Sequence, residues 1–144
     1  MLAGDVDGKD RMPIIGSYAK LPASDVERAR GFYKEHFGLE PHFEEGGHLR
    51  YDVAGTPLLL YPSTGSASGT HDQFGFVVDD LDAEVERLRG EGVRFETFPG
   101  PPGVTMRDGI MDNGLVKAGW FSDSEGNLIS IAQFAGRPPS LAES

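Results

Sequence analysis

The sequence contains no cysteine. That absence excludes disulfides, thiolate nucleophiles and cysteine-ligated zinc together, and it suits a cytoplasmic protein. No apolar run approaches the roughly 18 residues needed to span a bilayer. The start of the chain, Met1 to Arg11, is polar and rich in Gly and Asp, without the apolar stretch of a secretion signal. Basic residues are few: 13 Lys and Arg stand against 23 Asp and Glu, for a formal charge of −10 and a pI of about 4.7. Such a surface repels phosphate backbones and anionic lipid, so neither nucleic acid nor membrane is an expected partner.

What remains is a chain of 144 residues, 38% of them hydrophobic, enough for one ordinary core. The 20 glycines and 10 prolines predict short elements joined by many turns. Ile14–Leu21 reads as a strand. Ser24-Asp25-Val26-Glu27 has the form of a capping box, and Val26, Ala29, Phe32, Tyr33 and Phe37 after it recur near a 3.6-residue period. Gly38 ends that helix. Strands are expected at about Leu39–Glu44, His48–Val53 and Pro57–Pro62, with Gly46-Gly47 and Ala54-Gly55 as turns.

The order then repeats. Gln73–Val78 reads as a strand, Asp79-Asp80 caps a helix with Leu81, Val85 and Leu88 on one face, and Gly92 stops it. Val93–Phe98, Val116–Ser122 and Leu128–Phe134 read as strands, the last two joined by Asp123-Ser124-Glu125-Gly126-Asn127. Pro99–Gly114 has Pro and Gly clusters and no strand period, so it is expected to be a long loop with a functional role or a mobile one. The fold class is therefore α+β: two tandem βαβββ modules, at about 13–62 and 70–134, in a single domain spanning 13–134. Residues 1–12 and 135–144 are expected to be flexible termini.

Superposing the copies pairs Tyr18 with Gln73 and Leu59 with Ser130. Alternation along the strands turns Phe74, Phe76, Val78, Ile129 and Ile131 toward the helices. It turns Tyr18, Lys20, Leu59, Tyr61, Gln73, Gly75, Val77, Leu128, Ser130 and Ala132 to the opposite face. Of Trp120 and Phe121 only one can face a helix; the other is a stacking platform for a planar ligand. Tyr51 offers a further aromatic wall, and Lys20, Arg50 and Arg107 could neutralise an acidic ligand. His36 lies near a helix end, where it favours the dipole. His42 and His48 read as hairpin surface, and His71 lies two residues before Gln73, near the expected cavity mouth. No His-x-x-x-His, Gly-x-Ser-x-Gly or phosphate-cradling Gly-x-x-x-x-Gly-Lys occurs.

Three groups of residues are specific when taken in order. They are Leu21-Pro22-Ala23-Ser24-Asp25 with Gly31-Phe32-Tyr33 and Phe37-Gly38-Leu39, then Phe76-Val77-Val78-Asp79-Asp80-Leu81, then Trp120-Phe121-Ser122-Asp123-Ser124-Glu125-Gly126-Asn127. Over about residues 13 to 134 the chain resembles the glyoxalase/bleomycin-resistance/dioxygenase, or vicinal oxygen chelate, superfamily. The resemblance implies half-barrels curled around a cavity, a homodimer, and in many members a divalent metal acting as a Lewis acid. The metal positions it implies fall on Tyr18, Leu59, Gln73 and Ser130. Leu59 cannot ligate, Tyr18 and Ser130 are poor ligands, and Gln73 offers one carbonyl oxygen. A first-row metal needs three or four good donors, so no cofactor is expected and a divalent metal is disfavoured.

The reading is a metal-independent protein that binds a small planar or amphipathic molecule, as in drug or metabolite sequestration. Its expected ligand-binding residues are Tyr18, Lys20, Leu59, Tyr61, Gln73, Trp120 and Ser130. The rivals are an enzyme of the same superfamily, either metal-dependent through His71 or His48 or metal-free with Tyr18 or Lys20 as acid/base, and a dimerising regulatory protein whose cavity has closed.

Overall fold

Two aspartates open the two helices. In the computed structural model, which describes residues 13–65, 71–98 and 104–136, Asp25 caps α1 (Val26–Phe37) and Asp80 caps α2 (Leu81–Gly90). Each carboxylate accepts from a backbone N–H of the first turn, Arg28 N at 3.0 Å and Ala83 N at 3.1 Å. The expected Ser24 box does not form. Ser24 Oγ donates instead to Glu125, while Asp25 takes the capping position. At the other end of α1, Gly38 is left-handed (φ 65°), and Leu39 N reaches back to Tyr33 O.

The first sheet has the order β1-β4-β3-β2, from Ala19–Ala23 (β1), Phe43–Glu45 (β2), His48–Val53 (β3) and Thr56–Pro62 (β4). β1 runs parallel to β4 and the other pairs are antiparallel. β1 starts at Ala19 rather than Ile14. Its register pairs Ala19 with Leu58, so the preceding partner would be Pro57, which has no N–H to donate. Ile14 and Ile15 are left 90% and 97% exposed. The expected strand Leu39–Glu44 shrinks to Phe43–Glu45, because Leu39 closes the helix and Pro41 follows it.

The second sheet has the order β5-β9-β8-β7-β6, from Phe74–Val77 (β5), Thr105–Arg107 (β6), Ile110–Asp112 (β7), Val116–Ser122 (β8) and Leu128–Phe134 (β9). The expected strand Val93–Phe98 is reduced to one bridge, Phe95 to Phe121. The expected loop Pro99–Gly114 instead holds the β6–β7 hairpin, turning at Asp108 (φ 52°) and Gly109 (φ 80°). Asp-Gly is the residue pair that a tight hairpin turn demands. β7 then pairs with β8 at Met111–Ala118, beside the stretch of β8 that Phe95 bridges, so two segments share that edge. The expectations for residues 1–12, 99–103 and 137–144 lie outside the described residues. Among the described residues no helix is long and apolar enough to cross a membrane.

The helices lie against one face of each sheet, and the core follows strand alternation. Leu21, Ala23, Leu49, Leu58 and Leu60 are buried in the first module, and Phe121, Ile129 and Ile131 in the second. Leu128, expected on the other face, is buried as well, outside the main cluster. Tyr51, expected as an aromatic wall, is 1% exposed within the core and also borders the cavity described below. Burial holds its hydroxyl up at about 12. The modules meet through α1. Phe37 stacks on Phe76 at 4.7 Å and on Phe121 at 5.5 Å, and His36, far from being a free helix end, joins Glu91 at 2.8 Å.

A polar clasp completes that contact. Asp123 accepts from the Tyr33 hydroxyl at 2.6 Å and from Asn127 Nδ2 and backbone N–H groups of its own turn. Glu125, with its side chain 1% exposed, receives Arg28, Ser24 Oγ and Asp25 N. Burial alone would raise the Glu125 carboxyl. The bonds from Arg28, Asp25 N and Ser124, with the charge of Arg28, outweigh it and hold the group down at about 2. A carboxyl lowered in the folded state contributes stability above its ordinary value of 4.5 and loses it as pH falls toward about 2. Glu125→Gln should therefore lower stability at pH 7 by about 2–3 kcal/mol and flatten the acid limb of the stability profile. Urea unfolding at stepped pH reads both effects, and an unchanged acid limb would refute the clasp.

Candidate functional site

The face of the first sheet turned away from the helices carries the side chains left over by core alternation. In register they form rows across the strands: Tyr61 beside Pro22, and Leu59 between Lys20 and Arg50. Phe43 lies opposite Arg50 on the edge strand, and Glu45 opposite His48. Over this face opens a cavity of about 910 Å³, whose walls include Tyr18, His42, Phe43, His48, Arg50 and Leu59. That volume suits a small organic molecule.

Two cations on this face stack on aromatic rings. Lys20 Nζ lies 4.5 Å from the centroid of Tyr61, and Arg50 Cζ lies 5.4 Å from that of Phe43. His48 Nδ1 is 3.2 Å from Gly46 O, which ties its ring to the β2–β3 turn. His42 and His48, read from sequence as hairpin surface, are thus cavity walls. Phe43 was not singled out at all. Its signal was the alternation that sets it across from Arg50 once the short strand is recognised.

The corresponding face of the second sheet holds the other expected residues. Of the aromatic pair on β8, Phe121 is fully buried among the helix-side rings, and Trp120 faces the other way. Trp120 Nε1 donates to Asp72 at 3.4 Å, and its ring meets Phe98 edge-on at 5.8 Å. Ser130 stands between Gly75 and Trp120 in register, and Gln73 and Val77 are exposed. Asp72 and Phe98 were missed in the sequence because only the geometry brings them to Trp120. His71 is exposed near Gln73.

The expected site residues are therefore brought together as two sets, one per sheet. Tyr18, Lys20, Leu59 and Tyr61 share the first face, with Tyr18 and Leu59 on the cavity wall. Gln73, Trp120 and Ser130 share the second, and none of them lines that cavity. Arg107 belongs to neither. It lines a separate cleft of about 460 Å³ between α2 and the β6–β7 hairpin, among Asp82, Glu86, Asp108 and Asp112.

The model of the Glyoxalase/Bleomycin resistance protein/Dioxygenase superfamily matches residues 14–131. The chain belongs to that superfamily. Solved structures agree on the fold. A fosfomycin resistance protein, FosX, from Listeria monocytogenes is 18% identical with a TM-score of 0.65, covering 87% of this chain and 94% of its own. A lactoylglutathione lyase from Agrobacterium tumefaciens is 20% identical with a TM-score of 0.58, covering 84% and 95%. A mutant of the Listeria protein, 19% identical with a TM-score of 0.61 and covering 87% and 93%, was solved with Mn(II) and 1S,2S-dihydroxypropylphosphonic acid. No curated protein matches the chain.

A divalent ion fits poorly here. Leu59 offers no donor and Tyr18 and Ser130 are weak ones, and among the described residues no group of three or more His, Asp or Glu side chains could hold a metal. The facing of the β8 aromatics is directly testable. Phe121→Ala should cost about 3–5 kcal/mol, as for a fully buried ring, whereas Trp120→Ala should cost about 1 kcal/mol or less. Equal losses in thermal or urea unfolding would show that the two faces have been exchanged.

Proposed function

We propose that this chain is a metal-independent small-molecule-binding protein, working through the cavity over the first sheet. The observation that carries the reading is the cavity itself. It is large enough for a drug-sized molecule, walled by Tyr18, Phe43 and Leu59, and bordered by a few polar groups that could orient a ligand. Its opening also argues against a closed, purely regulatory fold. A planar or amphipathic ligand suits the flat aromatic walls, and sequestration needs only binding.

The second face, with Gln73, Trp120 and Ser130, is proposed as the other half of the site, completed in a homodimer. Supporting this are large apolar side chains left exposed at or beside both faces: Ile15, Tyr18 and Phe43 on one, Val77 on the other. A cytoplasmic location belongs to the same proposal, a cysteine-free chain being compatible with a reducing compartment. One observation favours the rival enzyme reading: His42 and His48 both reach the cavity wall, where they could serve as bases or ligands.

Fluorescence titration with N-phenyl-1-naphthylamine, a neutral flat apolar probe, should give saturable binding that Tyr18→Ala weakens several-fold. Absence of saturable binding would sink the small-molecule reading. Metal content of protein purified without chelator should fall far below one ion per chain; near-stoichiometric manganese, zinc, nickel or iron would replace this reading with the enzyme. Light scattering should give twice the chain mass of 15.5 kDa, and a monomer at micromolar concentration would remove the shared site.

A further inference from the structure

The chain has ten more acids than bases, so its cations should find carboxylates readily. Most do. Arg28 pairs with Glu125, Arg30 with Glu27 and Glu44, Lys34 with Glu40, Arg87 with Glu84 and Glu91, and Lys117 with Asp82. Lys20 and Arg50 do not. Among the described residues neither side chain has a carboxylate or carbonyl acceptor; each rests on an aromatic ring instead. Arg89, Arg94 and Arg107 also lack a carboxylate partner there, but none of them belongs to the first sheet: Arg89 donates to Asp108 O, and Arg107 stands among four carboxylates.

The placement of Lys20 and Arg50 is what gives the observation weight. They are the two cross-strand neighbours of one residue, Leu59, on the cavity face. A guanidinium stacked on a ring keeps its in-plane N–H donors free, in the fork that matches an oxyanion. An ammonium over a ring likewise keeps donors pointing outward. Around them, Tyr18, Leu59 and Phe43 supply flat apolar surface. The opposing charge is slight. Among the described residues Glu45 is the one carboxylate on the cavity wall, at the edge and opposite His48, and Asp52 of β3 is turned to its own hairpin, accepting from Gly55 N at 2.7 Å.

We propose that the cavity takes an amphipathic anion, its flat apolar body against Tyr18, Leu59 and Phe43 and its carboxylate or other oxyanion held by Arg50 and Lys20. The inference rests on the small-molecule reading above and adds the charge of the ligand to it.

A matched pair of fluorescent probes separates the two claims. N-phenyl-1-naphthylamine tests the apolar cavity, and 8-anilinonaphthalene-1-sulfonate is the same skeleton carrying an anion. The full chain should bind the sulfonate about tenfold more tightly than the neutral amine at low salt, and the preference should shrink in about 0.5 M NaCl. In Arg50→Gln with Lys20→Gln the affinity ratio should fall toward one; both side chains are exposed, so circular dichroism should show an intact fold. Leu59→Trp, which fills the cavity between them, should weaken both probes. Equal affinities for the two probes, or a preference that survives the double substitution, would overturn the anion assignment and leave the small-molecule reading standing. Sulfonate binding unaffected by Leu59→Trp would place the anion site elsewhere and also overturn it. No binding of either probe would overturn both claims.

Discussion

The buried carboxylate of Asp123 is the point on which the two modules turn. It sits at 6% exposure at the start of the β8–β9 turn, where an unpaired charge would be costly. It is not unpaired: one oxygen accepts from Tyr33 and from Asn127 Nδ2, the other from the backbone of Glu125 and Asn127. Asn127 Nδ2 also reaches Pro22 O, so the same turn grips β1 as well as α1. Burial, followed by the nearby Asp123 charge, pushes the Tyr33 hydroxyl well above its ordinary value and keeps it a donor. With both Asp123 oxygens satisfied, this network accepts few alternative arrangements, whereas aromatic stacking alone tolerates sliding.

The open faces follow from that clasp. It fixes α1 against the second sheet, and Phe32 and Phe37 fill the space toward Phe121. Because strand side chains alternate, committing Leu21, Leu49 and Leu58 to the helix side commits Lys20, Arg50 and Leu59 to the other. No residue of the cavity face has to be explained by its own stability. Tyr18 is 58% exposed and Phe43 47% exposed, a cost in apolar exposure that a binding face recovers only when it is covered.

The parts of this fold that were legible in the sequence are those set by local chemistry. β8 and β9 were bounded correctly because a turn of Asp, Ser, Gly and Asn separates two long alternating runs. Gly38 was legible because ending the helix needed a left-handed residue. What failed was set by contacts distant in sequence. Ser24 has the form of a cap, but Glu125, a hundred residues away, takes its hydroxyl. The β6–β7 hairpin is too short to show a period, and its Asp108-Gly109 signal was hidden among prolines and glycines. Tyr51 and Tyr61 look equivalent as residue types; only strand parity packs Tyr51 into the core and leaves Tyr61 on the opposite face beneath Lys20. His42 and His48 are exposed, as the hairpin reading expects; that they also wall a cavity shows only once β2 is placed beside β3.

The metal position that the superfamily resemblance implies at Leu59 and the cationic face coincide in one arrangement. Leu59 stands where the superfamily resemblance expects a ligand, and its neighbours across both strands are Lys20 and Arg50. Each unit positive charge about 6 Å from a dication opposes it by on the order of 5 kcal/mol at an effective dielectric constant of about 20. A ligating side chain placed at Leu59 alone would therefore still meet flanking charges that repel a divalent ion. The same two charges favour an anion at that spot. The face carries its positive charge on two side chains, each propped on a ring, with an apolar residue between them.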